Sequence, residues 1–116
     1  MDYKMYNQGL PTKEFKMKSN SKLTAEQKVE LTSMRVHADI NDITTAFLDN
    51  VTTMVYRNCG NTVHFALAIK SEDEKKFRPN VGEYLALDKF MAGHYVVMQR
   101  TMFETMLHSL WNITLD

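Results

Sequence analysis

Cysteine is nearly absent from this chain. Cys59 stands alone among 116 residues, which excludes a disulfide framework and any zinc site built from several cysteines. No uninterrupted apolar run reaches membrane-spanning length. The opening MDYKMYNQG lacks the apolar core of a signal peptide. A cytoplasmic protein without membrane contact is the simplest expectation. Catalytic motifs are missing as well: there is no G-x-S-x-G setting for a nucleophile and no glycine-rich phosphate loop. The reading is therefore of a protein that is not an enzyme and carries no cofactor.

Net charge is zero, but its distribution is uneven. The first 28 residues hold Lys4, Lys13, Lys16, Lys18, Lys22 and Lys28 against Asp2, Glu14 and Glu26, a surplus of +3. The remainder carries −3. Residues 1 to 22 mix these lysines with Gly9, Pro11 and scattered aromatics (Tyr3, Tyr6, Phe15), which reads as a basic arm on a single domain spanning 23 to 116. Such an arm suits an anionic ligand, a neighbouring subunit, or plain solvation. Lysines and aromatics also suit nucleic acid. The acidic body, with no helix-turn-helix spacing and no basic recognition helix, argues against a dedicated DNA reader.

Two long stretches show helical periodicity. Thr24-Ala25-Glu26-Gln27 is a capping box, and beyond it Val29, Val36, Ile40, Ile43, Phe47, Val51 and Met54 recur at helical spacing. The run predicts one helix from 24 to 58, ended by Gly60, about 50 Å long at 1.5 Å per residue. A second run, from Asn80 to Ile113, carries Tyr84, Leu87, Met91, Met98, Met102 and Met106 on one face. Between them, Val63, Phe65, Leu67 and Ile69 alternate as a strand would. With no second strand in view to pair with it, the segment is assigned as a short helical connector. The expected fold is all-α: a long antiparallel helical hairpin that assembles as a homo-oligomer. Gly93, beside Ala92, is expected where another backbone crosses closely, and Met98, Met102 and Met106 are expected to form the adaptable packing seam.

No metal site emerges. His94 and His108 would stand about 21 Å apart on one helix. Glu104 and His108 are one turn apart but lack further donors, and Glu30, His37 and Asp39 have no ligand spacing.

Two segments, LTAEQKVELTSMRVHADI (Leu23 to Ile40) and QRTMFETMLHSL (Gln99 to Leu110), resemble the two arms of the helical hairpin in phage proteins that sequester cyclic-nucleotide immune signals. The resemblance implies an oligomer that holds an anionic cyclic nucleotide between subunits. It further implies phosphate contacts from Lys22, Lys28, Arg100 and Thr101, and stacking of a base on an arm tyrosine such as Tyr6. Arg100 has a plainer reading as the partner of Glu104. The leading expectation is thus a non-catalytic binding protein that sequesters a host signalling molecule. The alternatives are a helical inhibitor or adaptor of a host protein, and a nucleic-acid-associated oligomer that uses the arm.

Overall fold

In the computed structural model, which describes residues 22–72, 74 and 76–114, the first helix does begin at the Thr24 box. The Thr24 hydroxyl accepts from the Gln27 N–H at 3.1 Å, and the Gln27 side chain accepts from the Thr24 N–H at 2.9 Å. Helix α1 (Ala25–Ile40) then stops sixteen residues in. Asp42 adopts φ +58°, and the Ile43 N–H reaches back to the Ala38 carbonyl. An Asp in the left-handed region ends the helix where the periodicity predicted that it would continue.

Two strands replace the rest of the predicted helix, and a third, joined to the second by a tight hairpin, replaces the predicted helical connector. They are β1 (Thr44–Phe47), β2 (Thr52–Cys59) and β3 (Thr62–Ile69). Gly60, at φ +72°, takes the first position of the two-residue turn between β2 and β3, and Asn61 does not share the positive φ. That is the backbone pattern of a type II′ hairpin, which suits the twist of the flanking strands. Helix α2 (Pro79–Met91) follows, then β4 (Val96–Gln99) and helix α3 (Arg100–Trp111). The strands form one antiparallel sheet in the order β1-β2-β3-β4, with β2 and β3 paired over all eight residues. β4 pairs only with Thr62 to Phe65 of β3.

The all-α helical hairpin is therefore corrected to a mixed architecture around an antiparallel sheet. The two differences are coupled: a helix through Met54 and Val55 removes the strand with which β3 pairs, and an unpaired strand leaves its backbone groups unsatisfied. The central strands are buried on both faces (Thr52 to Val55, and Phe65 to Ala68), and β2, unlike β3, does not show the clean alternation of a half-exposed strand.

Each face of the sheet carries one core. On the first, Val55, Ala66 and Ala68 meet Val81, Tyr84, Ala86, Leu87 and Phe90 of α2. Helix α1 lies outside α2 and adds Leu31 and Ala38 to the same cluster. On the second, Met54, Val63, Phe65 and Leu67 meet Phe103 and Leu107 of α3. The two segments that resembled arms of one hairpin are α1 and α3, and the sheet stands between them.

The long run from Asn80 to Ile113 breaks at Ala92-Gly93. Gly93 has φ +84°, its N–H donates to Phe90 O, and the His94 N–H donates to Lys89 O. This is a Schellman termination, with open space around the glycine. The glycine that a close approach requires is Gly82, where an added Cβ would collide with the Thr53 hydroxyl.

Candidate anion-binding cleft

Where α1 and α2 begin side by side, four cationic side chains converge. Lys22, Lys28, Lys76 and Arg78, with Leu23, Phe77, Pro79, Asn80 and Val81, line a cleft of about 330 Å³. Its size is at the lower end of small-molecule sites. Among the described residues no carboxylate lines it.

Each residue is positioned for a local reason. The capping box fixes the entry of α1, setting Lys22 just ahead of the cap and Lys28 one turn inside. Arg78 is the N-cap of α2, and Pro79 takes the first helical position, where a missing N–H costs nothing. The two helices are clamped together by a bidentate pair from Arg35 to Glu83, at 3.0 and 2.6 Å. Tyr84 adds a longer contact, its hydroxyl donating to Glu30 at 3.3 Å. Gly82 lets the first turn of α2 settle against Thr53 of β2.

The cleft is electrostatically unsatisfied. The N-terminus of α2 has no side-chain cap and no acidic residue in its first turn. The N–H groups of Val81 and Gly82 both share the Arg78 carbonyl, and no acceptor among the described residues meets the Asn80 N–H. Arg78 Nε is buried without a hydrogen-bond partner. The only side-chain ion pair among the described residues is Arg35 with Glu83, so none of the four cations is neutralised by them. Positive helix end, free amide and unpaired guanidinium together favour an anion.

The other residues expected at a ligand site lie elsewhere. The Arg100 guanidinium donates twice to Gly60 O, at 3.1 and 2.9 Å, and its N–H donates to Asn61 O at 2.8 Å. It clasps the β2–β3 turn and does not pair with Glu104. Gly60 lies seven residues along β2 from Thr53, on the order of 20 Å at strand rise, so Arg100 and Lys28 do not converge on one small ligand. Thr101 is exposed, with its carbonyl accepting from the Thr105 hydroxyl. Tyr6 lies outside the described residues. Met98 belongs to β4 while Met102 and Met106 belong to α3, so the expected seam is not one helix face. Met102 is exposed and Met106 packs against the second core. Ala92 and Gly93 are exposed at the end of α2. Lys76 and Arg78 were missed, although the run KKFRP at 75–79 set cations directly before a proline that opens a helix.

Among the described residues no three His, Cys, Asp or Glu side chains gather as a metal site. None of the helices described is long and apolar enough to cross a membrane. Compared with family models, curated proteins and solved structures, the chain matches none.

Proposed function

We propose that this protein is a non-catalytic binding protein that captures a small phosphorylated ligand of nucleotide type in the cleft between α1 and α2, and acts by sequestering it. The observation that carries the reading is the set of four unpaired cations around an uncapped helix N-terminus. A phosphate group would satisfy the Asn80 N–H, and the lysines and Arg78 that line the cleft would supply the opposing charge. Leu23, Phe77 and Pro79 offer an apolar wall to the rest of the ligand. The proposal keeps the chemistry that the resemblance implied and drops its hairpin and Arg100. The proposed setting is the cytoplasm, where such nucleotides circulate.

Thermal denaturation with mononucleotides, cyclic di- and trinucleotides and inorganic phosphate tests it. A ligand present at a hundred times its Kd adds about 2.7 kcal/mol to the native state. A shift with one nucleotide, lost in Lys28→Ala and in Arg78→Ala, is the expected result. A shift equal to that from inorganic phosphate alone, or one indifferent to both substitutions, sinks the reading.

A second reading rests on a different surface. Val29, Val36 and Ile40 are 71, 56 and 75 % exposed on α1. They share the face opposite Leu31 and Ala38, the pattern of a helix that docks on another protein. Co-purification that is lost in Val36→Lys would favour it.

A further inference from the structure

We propose that β4 is an oligomerisation edge, through which two copies of this chain pair antiparallel about a two-fold axis at Val97, joining their sheets into one. β4 hydrogen-bonds to β3 on one side only, and no described strand covers its other side. The direction of its free groups follows from one bond. The Arg100 N–H donates to Asn61 O, so backbone groups of residues 100, 98 and 96 turn toward β3. Those of Val97 and Gln99 then turn outward.

In an antiparallel pair, residues directly opposite share a sheet face, so a two-fold axis must pass through a residue and not between two. Centred on Val97, the register sets Val97 against Val97 of the second copy with both N–H···O bonds made. Tyr95 then lies opposite Gln99, and Val96 opposite Met98. Val97 is 56 % exposed, and this pairing covers it.

The occupant is argued from charge and from contrast with the other open edges. The β4 sequence, VVMQ, has no charge and no proline, the usual guards of an edge. Arg100, which follows it, is folded back onto Gly60 O. The half of β3 that β4 does not reach is guarded, because the buried Lys89 donates its Nζ to Leu67 O at 2.6 Å. β1 is bracketed by Asp42 and Asp49, so pairing β1 with itself draws carboxylates together. β4 is the edge that tolerates its own copy.

Sedimentation of the full chain should give twice its 13.5 kDa mass. Val97→Lys, which opposes two ammonium groups, and Val97→Pro, which deletes an outward N–H without touching the β3 ladder, should each return the mass to 13.5 kDa with the circular dichroism unchanged. A second arm does not depend on either variant folding. Cys59 is an exposed thiol and is first replaced by Ser. In that background Val97→Cys should oxidise to a covalent dimer, since opposed residues in a hydrogen-bonded pair lie about 5.5 Å apart at Cα, within disulfide reach. A monomer at all concentrations overturns the proposal. So does a dimer that survives Val97→Lys and leaves Val97→Cys unlinked.

Discussion

Asp49 does more than its place in a surface turn suggests. Its Oδ1 accepts from the N–H groups of Val51 and Thr52 at 2.8 and 2.7 Å, and its Oδ2 accepts from Trp111 Nε1 at 2.9 Å. One carboxylate thus fixes the β1–β2 turn and pins the end of α3 to it. Desolvation works to raise its pKa, but the bonds from Val51, Trp111 and Thr52 outweigh it and the pKa is lowered. The stabilisation is therefore present above the ordinary carboxylate range and is lost as pH falls through the depressed folded value, below about 4. Asp49→Ala should cost about 1 kcal/mol at neutral pH, a modest figure because the group is exposed. The difference from wild type should shrink in acid, followed by Trp111 fluorescence in urea titrations.

Tyr84 is the opposite case. Burial, then the charges of Glu30 and Asp88, push its hydroxyl up to about 12. A raised folded pKa means that its contribution is complete below about pH 10, where the unfolded tyrosine titrates, and drains away between there and 12. Tyr84→Phe should barely alter stability at pH 7, since the bond to Glu30 is long at 3.3 Å. It should lose less stability than wild type between pH 8 and 11, measured by urea melts at each.

At the scale of elements, the sharpest constraint is the seat of α2 on β2. Alanine normally improves a helix over glycine by about 1 kcal/mol. At Gly82 a Cβ meets the Thr53 hydroxyl, with Thr53 Cβ only 3.2 Å away, and Thr53 is fully buried. Overpacking of this kind costs 1–3 kcal/mol by order of magnitude, so Gly82→Ala should be a net loss of about 1–2 kcal/mol. Thr53 Oγ1 has no hydrogen-bond partner, so Thr53→Ala forfeits little polar stabilisation and removes the hydroxyl clash, leaving only the tight contact at Cβ. Gly82→Ala should therefore be milder in the Thr53→Ala background, and a double-mutant cycle by chemical denaturation measures the coupling.

Termination is the other lesson at this scale. Asp42, Gly93 and Asn112 each sit at a positive φ just past the end of a helix. Each belongs to a residue type that tolerates the left-handed region. All three stops were thus visible as residue identities at 42, 93 and 112. The apolar spacing runs through the first two because Ile43 and Phe47 past Asp42, and Val97 and Met98 past Gly93, fall at helix-compatible intervals although β1 and β4 are short edge strands.

Across the whole molecule, the cleft and the β4 edge are built from separate residues. The cleft draws on the starts of α1 and α2, whereas the edge lies beyond β3 on the side of the sheet away from β1. Neither shares a side chain with the other. If both proposals hold, Val97→Lys should abolish the dimer and leave the nucleotide-induced thermal shift unchanged. Lys28→Ala should do the reverse. Loss of the shift in Val97→Lys would mean that the partner copy completes the cleft.

What the sequence by itself determined is local. Thr24 and Gln27 specify the start of α1 because the capping box involves only residues three apart. Lys22 and Lys28 were legible as candidates for holding an anion because charge is a property of the residue. The alternation at 63, 65, 67 and 69 was also on the page. Its strand identity depends on partners five to seventeen residues away in register, from Asn58 with Val63 to Thr52 with Ile69 across the hairpin. Tertiary structure decided which apolar residues face which core, that Lys76 and Arg78 join Lys22 and Lys28, and that Arg100 goes to Gly60. Those outcomes rest on contacts between residues far apart in the chain, where backbone hydrogen bonding and the packing of two faces outweigh local propensity.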